Sequence, residues 1–214
     1  MKKSLNCCKG TLIGLISFCT VLMLWAPSYA DGKMDKDTLK NLQAAYNGES
    51  NAHAKYMAYA QKADQEGYHK VASLFRAAAG CEEVHLKNHA KVIESMGGIP
   101  KADIAIPVIK TTGENLKDAI HGELYENKTM YPDFIAQAQK AKNSDAVWTF
   151  TLARQAEADH AAFYQKALKE LDNWKMADEK FYFCPTCGHL VQGKPDFEVC
   201  PLCGMPENNF LIAS

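Results

Sequence analysis

The pattern of apolar and polar residues divides the chain into three parts. An uncharged apolar run extends from Thr11 to Trp25. The middle part, from residue 35 to about 172, is rich in Ala, Lys, Glu, Gln and Leu and contains few Pro or Gly, a composition typical of long helices. The last part, residues 181–214, is short, irregular and rich in Cys and Pro. The pattern predicts a helical domain between an N-terminal targeting segment and a small C-terminal domain.

Start and stop signals divide the middle part into four long helices. Glycines follow the first two helices, and a connection with two prolines, residues 99–111, separates the second from the third. Thr111 and Glu114 form a capping-box pattern, Pro132 predicts a kink in the third helix, and Ser144 or Asp145 is the expected N-cap of the fourth. The predicted helices run from about Lys36 to Gln65, from Tyr68 to Met96, from Thr111 to Lys140, and from Ser144 to Leu171.

The helical part also repeats internally. The pattern Phe75-x6-Glu82-x2-His85 recurs as Phe150-x6-Glu157-x2-His160, and Gly48-Glu49 recurs as Gly122-Glu123. Two similar helical hairpins joined by a long crossover predict an all-α fold, a ferritin-like four-helix bundle.

The repeated residues carry the candidate chemistry. In each E-x-x-H motif the carboxylate and the imidazole are three positions apart, so they share one face of a helix. Glu49 and Glu123 supply one carboxylate from each of the other helices, and this set is the known ligand set of di-iron carboxylate bundles. Carboxylates combined with imidazole favour iron or manganese. One such motif alone is more often a solvated helical face, but two copies in register predict a dimetal site.

Glu126 adds a fifth carboxylate three residues after Glu123. Taken alone, it is expected to be an exposed surface residue. Beside a dimetal site, it is a candidate for an additional or exchangeable ligand.

The C-terminal part contains two Cys-Pro-x-Cys-Gly motifs, with twelve residues between Cys187 of the first and Cys200 of the second. Four thiolates at this spacing predict a tetrahedral site for one iron or one zinc, with two disulfides as the metal-free alternative. A domain of about 34 residues is too small to fold on its own core, so the metal supplies the folding energy. The four predicted ligands are Cys184, Cys187, Cys200 and Cys203.

The N-terminal segment has the features of an export signal, predicted to occupy residues 1–30. Three lysines precede the apolar run, and small residues end at Ala30, so we expect cleavage there and a periplasmic protein with no stable membrane association. The alternative is an uncleaved anchor, because residues 10–30 carry no charge. Cleavage leaves five cysteines and a net charge of −4.

The absence of a basic excess and of glycine-rich phosphate loops argues against nucleic-acid and nucleotide binding.

The whole predicted mature chain resembles the rubrerythrin family. The resemblance depends on five motifs, in order: Gly48-Glu49-Ser50, Glu82-x-x-His85, Glu123-x-x-Glu126 followed by Met130-Tyr131-Pro132, Glu157-x-x-His160, and the four-cysteine motifs. It implies a non-haem di-iron peroxidase with two irons in the bundle and one in a rubredoxin-like domain, residues 181–214, joined by a linker at 173–180. That centre would pass electrons from a donor protein or reductase to the di-iron site, which reduces hydrogen peroxide in oxidative-stress defence.

The resemblance also implies roles for single residues. Glu82 and Glu157 match bridging carboxylates, Glu49 and Glu123 match terminal ligands, and His160 matches a fixed imidazole ligand. His85 and Glu126 match a pair that exchanges on the other iron, with the histidine bound when the site is reduced and the glutamate when it is oxidised. Tyr56 and Tyr131 match tyrosines that donate hydrogen bonds to ligand carboxylates; their alternative is a place in the apolar core.

The same residues are compatible with two other functions, and they predict an assembly. The same bundle would suit a ferroxidase or other iron-handling protein, or a non-catalytic electron carrier. The short linker at 173–180 predicts that the C-terminal metal lies far from the dimetal site of its own chain. A head-to-tail homodimer, which the resemblance also implies, would bring one chain's C-terminal domain beside the other chain's bundle.

Overall fold

The computed structural model describes residues 35–175 and 179–213, so the predicted export signal lies outside the described residues. The helical elements are α1 Lys36–Gln65, α2 His69–Ser95, α3 Thr112–Tyr125, a π-helical turn Glu126–Met130, α4 Tyr131–Lys140, α5 Ser144–Lys169 and α6 Leu171–Trp174. The C-terminal elements are β1 Phe181–Phe183, β2 Leu190–Gln192, a 3-10 turn Glu207–Asn209 and β3 Leu211–Ile212.

The four long helices form the predicted bundle, and the ferritin-like all-α fold is confirmed. α1 packs along α2, while α3 and α4 together pack along α5. Two apolar clusters fill the interior: one surrounds Phe75 and Tyr164, and the other surrounds Ile93 and Phe150. Within the described ranges, no helix is both long enough and apolar enough to cross a membrane.

The capping-box prediction is confirmed, because the side chain of Thr111 accepts from the backbone of Glu114 and the Glu114 side chain accepts in return. The predicted cap of the fourth helix is wrong. The N-cap of α5 is Asn143, whose side-chain oxygen accepts from the backbone N–H of Ala146 at 2.9 Å, so Ser144 is already helical. Lys142 has a φ of 57°, which turns the chain sharply just before this cap.

Pro132 is accommodated by the π-helical turn that precedes α4. The N–H of Tyr131 donates to the carbonyl of Glu126, five residues back. Pro132 therefore lies at the start of a new α-helix, where its missing N–H costs little. Single π-turns of this kind are frequent at functional sites, and this one begins at Glu126.

The C-terminal domain is a small antiparallel sheet in the strand order β2-β1-β3, with Tyr182 opposite Val191 in the first pair and Ile212 in the second. It packs against α2 and α5 of its own chain. Gly80 in α2 makes this contact possible, because an added Cβ would lie 2.6 Å from the ring of Phe183. The C-terminal domain thus lies directly on its own bundle, and the expectation that it lies far from its own dimetal site is wrong.

Candidate metal centres

The structure brings together two overlapping groups of acidic and histidine side chains in the bundle. The ligand atoms in each group lie within 4.8 Å of one another. The first group is Glu49, Glu82, His85 and Glu157, and the second is Glu82, Glu123, Glu157 and His160. Since Glu82 and Glu157 belong to both, they lie in the position of bridges between two metal ions. Glu49 and Glu123 each belong to one group, the position of terminal ligands.

The donor atoms fit a pair of cations. All four glutamates and both histidines are no more than 1% exposed. Buried carboxylates are costly unless they are paired or coordinate metals. Within residues 35–175 and 179–213, several of these atoms have no hydrogen-bond partner: Oε2 of Glu49, Oε1 of Glu82, Oε2 of Glu123, both oxygens of Glu157, and Nδ1 of His160. Two divalent cations would satisfy these atoms and balance four carboxylates.

The protonation properties of the site reflect its burial and crowding. Burial, together with the charges of neighbouring glutamates, raises the pKa of Glu49 well above its usual value and that of Glu123 to about 8. Burial would also raise the pKa of Glu157, but His85 and His160 beside it outweigh this effect and lower it. Without metal, the cluster therefore holds protons at neutral pH to reduce the repulsion between its carboxylates.

Tyrosine hydroxyls hold the two terminal carboxylates. Tyr56 donates to Oε1 of Glu123 at 2.5 Å, and Tyr131 donates to Oε1 of Glu49. Both tyrosines therefore make the hydrogen bonds that the family resemblance implies. Because each tyrosine is held in the apolar core and contacts one glutamate, the pair fixes the orientation of both carboxylates.

Sequence reasoning missed a buried histidine behind Tyr131. Nε2 of His89 lies 3.0 Å from the Tyr131 hydroxyl, and Nδ1 of His89 lies 3.0 Å from the Thr149 hydroxyl. Burial and the nearby His85 lower the pKa of His89 to about 3, so it is neutral. Its position four residues after His85, on the same face of α2, is the signal that could have revealed it.

Glu126 lies beside the cluster but belongs to neither group of ligand atoms. It is half-buried at the start of the π-helical turn. Burial and then the charges of Glu157, Glu123 and Glu82 raise its pKa, which shows that it faces the same carboxylates. The structure has His85 within the cluster and Glu126 outside it.

The four C-terminal cysteines form a third group with their sulfur atoms within 4.8 Å of one another. The Sγ atoms of Cys184 and Cys203 are 3.5 Å apart, and those of Cys187 and Cys200 are 3.6 Å apart, so no disulfide is formed. Each motif closes with a glycine at positive φ whose N–H donates to the carbonyl of the first cysteine. Four convergent thiols suit one tetrahedrally bound metal ion.

The first cysteine loop lies directly on the histidines of the bundle site. The carbonyl of Cys187 is 3.1 Å from Nε2 of His85, and the carbonyl of Gly188 is 3.4 Å from Nε2 of His160. In both histidines the other nitrogen, Nδ1, faces the glutamates. Each imidazole therefore joins the cysteine loop to the carboxylate cluster.

Two side-chain contacts beside the histidines hold the loop on the bundle. Asn88 donates to the carbonyl of Thr186 at 2.9 Å, and His189 lies 2.7 Å from a carboxylate oxygen of Asp159. Asn88 and Asp159 belong to α2 and α5, the two helices that carry the histidines. They are further residues that sequence reasoning did not single out.

Comparisons with known proteins agree with this geometry. The family described as Rubrerythrin matches residues 40–168. Nigerythrin of Nitratidesulfovibrio vulgaris is 43% identical over 81% of this chain and 85% of its own length. Rubrerythrin-2 of Clostridium acetobutylicum is 35% identical over 79% of this chain and 92% of its own length.

Solved structures show the same architecture. The fully reduced, all-ferrous state of nigerythrin has a TM-score of 0.77 and 41% identity, covering 82% of this chain and 86% of that one. A Desulfovibrio desulfuricans bacterioferritin, at 19% identity and a TM-score of 0.61 over 65% of this chain and 82% of that one, shares the bundle fold.

Fold and ligands together define a ferritin-like protein with a di-iron carboxylate–histidine site and a rubredoxin-like four-cysteine iron site. Among such proteins, this chain belongs to the rubrerythrin family.

Proposed function

We propose that the protein is a peroxidase that reduces hydrogen peroxide to water at the bundle site. The O–O bond breaks, two electrons and two protons are taken up, and two molecules of water leave. When bound, the iron pair would supply the two electrons, and an iron held by the four cysteines would restore them one at a time from an external donor protein or reductase. Removal of peroxide in this way would serve oxidative-stress defence.

The observation that carries the proposal is the contact between the cysteine loop and both metal-site histidines. Cys187 is a thiol ligand, and its own carbonyl reaches His85 at 3.1 Å. Gly188 repeats the contact with His160 at 3.4 Å. A centre that serves only to fold the C-terminal domain does not need to lie this close to the bundle site, whereas electron transfer between two centres becomes faster as they approach each other.

The surrounding residues hold the ligands in place. Tyr56 and Tyr131 each hold one terminal glutamate, and His89 and Thr149 support Tyr131 from behind. The two terminal glutamates therefore keep their places as the charge of the site changes. The family resemblance assigns Glu126 to the oxidised state, and its position beside the cluster suits that role.

The iron content and visible spectrum of the purified protein test the metal assignment. We expect a red protein with about three irons per chain, one for the cysteine group and a pair for the two overlapping bundle groups. Colourless protein with one firmly bound zinc per chain would exclude electron transfer through the cysteine centre.

Replacement of one cysteine separates the peroxidase from a ferroxidase. Cys200→Ser should abolish steady-state peroxide reduction driven by an external reductant. Oxidation of the prereduced bundle site by a single portion of peroxide should survive, because the bundle ligands are unchanged. Steady-state turnover at the wild-type rate would contradict the mechanism, and failure of both reactions in the wild-type protein would leave a non-catalytic electron carrier.

We also propose a head-to-tail homodimer of an exported, periplasmic protein. The crossover between α2 and α3 supports self-association, because the side chains of Ile99, Ile106 and Val108 are 72%, 93% and 71% exposed. Exposed apolar runs of this kind commonly mark contact surfaces. In a head-to-tail dimer the contacts between cysteine loop and bundle would form between chains, as they do when identical elements are exchanged. Fractionation of the native cells, with N-terminal sequencing of the protein, tests export and cleavage after Ala30.

A further inference from the structure

A small cavity opens beside the di-iron site between α1, α3 and the crossover. Its volume is about 170 Å³, below the usual range for sites that bind larger organic ligands. Glu126 belongs to its lining, so the cavity reaches the side of the cluster that the cysteine loop does not cover. The lining residues are Gly48, Asn51, Ala52, Lys55, Tyr56, Ala105, Pro107, Gly122 and Glu126.

Two glycines inside helices leave this space open. Glycine within a helix costs about 1 kcal/mol relative to alanine, so its presence calls for a reason. Gly48 precedes the ligand Glu49 and Gly122 precedes the ligand Glu123, and both line the cavity. An added Cβ would meet only Oε1 of Glu126 at 3.8 Å in the first case, and Nζ of Lys55 at 3.9 Å and the Tyr56 hydroxyl at 4.0 Å in the second. Backbone packing does not require either glycine, and larger side chains would fill the cavity.

The outer wall of the cavity is part of the crossover, which is pinned to α1 by amide side chains. The N–H of Ala105 donates to the side-chain oxygen of Asn51 at 2.9 Å, and the side-chain nitrogen of Asn51 donates to the carbonyl of Asp103 at 2.8 Å. Asn47 accepts from the N–H of Asp103 at 2.8 Å. Gln43, one turn earlier in α1, donates to the carbonyl of Lys101. These three amide side chains recur at intervals of four residues along α1, and Asn51 lines the cavity.

We propose that this cavity is the entrance through which a small oxidant reaches the di-iron site, and that Asn51 sets its aperture by holding Ala105 in place. The inference rests on the proposed function for the identity of the oxidant as hydrogen peroxide. The dimensions favour a small polar molecule over peroxides with bulky apolar substituents. The polar groups of Asn51, Lys55 and Glu126 at the lining suit such a molecule. Asn51 is a positioning residue, because it acts through the backbone of the crossover.

Binding of azide to the oxidised, iron-loaded protein tests the entrance without any turnover. Azide is a small anion whose binding to oxidised iron is followed by absorbance in a stopped-flow instrument. Gly122→Val should slow azide association about tenfold, which corresponds to about 1.4 kcal/mol of added barrier. Asn51→Ala should accelerate association several-fold. Gln43→Ala is the matched control. It removes an amide side chain that also holds the crossover but lies outside the cavity, so it should leave the rate of azide association unchanged.

Hydrogen exchange gives a second measurement that requires neither metal nor activity. Asn51→Ala should speed exchange of the Ala105 amide, whereas Gln43→Ala should not, because Gln43 bonds to a carbonyl. If azide associates at the wild-type rate with both Gly122→Val and Asn51→Ala, the inference is overturned. If Gly122→Val does not fold, an unchanged rate in Asn51→Ala alone overturns it. If the expected azide rates are found but the wild-type protein reduces no peroxide, the entrance stands and the proposed function fails.

Discussion

The main-chain carbonyl of Cys187 lies 3.1 Å from Nε2 of His85, which joins a residue of the four-cysteine site to a residue of the di-iron site by one hydrogen bond. His85 is 1% exposed, its Nε2 faces the carbonyl of Cys187, and its Nδ1 faces Glu82 and Glu157. The route between the two centres is therefore short and continuous.

Gly188 allows this approach, and its replacement tests the contact. Gly188 has a φ of +74°, and an added Cβ would overlap the His85 ring, with the ring Cδ2 and Cε1 atoms at 3.1 Å. Gly188→Ala should therefore displace the cysteine loop from the bundle and slow reduction of the di-iron site by the cysteine centre at least tenfold, about 1.4 kcal/mol of barrier. Rapid-mixing absorbance at the iron–thiolate band measures that rate.

Gly204→Ala is the matched control. Gly204 occupies the same place in the second cysteine motif, with a φ of +76°, but among the described residues an added Cβ would meet nothing within 4 Å. Both variants carry the same backbone strain, so their difference isolates the contact with His85. Equal rates in the two variants would show that the contact does not control electron transfer.

Tyr131 supports both a ligand and a buried histidine, so removing its hydroxyl should destabilise the protein. Tyr131→Phe removes the hydrogen-bond partner of Oε1 of Glu49 and of Nε2 of His89 in a fully buried site, at a cost of about 1–3 kcal/mol. The free energy of unfolding in denaturant measures this. Tyr164→Phe is the control, because Tyr164 is as deeply buried but its hydroxyl has no partner within the described ranges, and the change should be close to neutral. Equal losses in the two variants would contradict the role of Tyr131.

The sequence was sufficient to predict the helices because their end signals are local. The bounds predicted for the first helix, Lys36–Gln65, are those of α1. The cap of α5 was misplaced by one residue because Asn143, Ser144 and Asp145 all cap helices well, and the choice depends on the backbone turn at Lys142. The π-helical turn was not predicted, since a proline signals an interruption without specifying its form.

The dimetal ligands could be identified because helical spacing alone places Glu82 and His85 on one face, and the repeat doubles the signal. The contact between Cys187 and His85 could not be, because the two residues are 102 positions apart and the contact uses a main-chain carbonyl, which leaves no trace in residue type. The sequence reasoning instead used linker length, and so placed the cysteine domain too far from its own bundle.

Removal of metal should make stability depend on pH. In the metal-free protein the pKa of Glu123 is raised to about 8 and those of Glu49 and Glu126 are raised from 4.5, so the folded state binds more protons than the unfolded chain. His85 and His160 also have raised pKa values, and their contribution is likewise lost as pH rises. Stability from these groups is present at low pH and lost as pH rises through the folded-state pKa values. The pKa of Glu157 is lowered, so its contribution to stability is instead lost as pH falls, but only below about pH 4.5.

The melting temperature of the chelated protein should therefore fall between about pH 5 and pH 8. In the loaded protein the metal replaces these protons, so metal affinity rises with pH and the difference in melting temperature between loaded and metal-free protein should widen. Circular dichroism at several pH values measures both. A metal-free melting temperature that is constant or rises over this range would show that the carboxylates do not share protons as described.

Glu126 is expected to affect the oxidised state of the site rather than its assembly. It lies outside both groups of metal ligand atoms but within the field of Glu157 and Glu123. Glu126→Ala should leave the iron content unchanged and raise the reduction potential of the bundle site, since an additional carboxylate stabilises the more highly charged iron pair. A redox titration followed by absorbance measures the potential. Glu94→Ala, which removes an exposed carboxylate from α2, is the control, and equal potentials in the two variants would make Glu126 a surface residue.

Subunit mixing determines which chain supplies the cysteine loop to each bundle. Cys200→Ser lacks a functional cysteine centre, and Glu157→Ala lacks a functional di-iron site, so neither variant alone should reduce peroxide in steady state. In a hybrid dimer, one chain carries the intact cysteine centre and the other carries the intact bundle. The head-to-tail dimer predicts that mixing under conditions of subunit exchange restores part of the activity, because the contact between Cys187 and His85 then forms between chains. If mass spectrometry shows hybrids and activity does not return, electrons pass within one chain, through the contact seen in the structure.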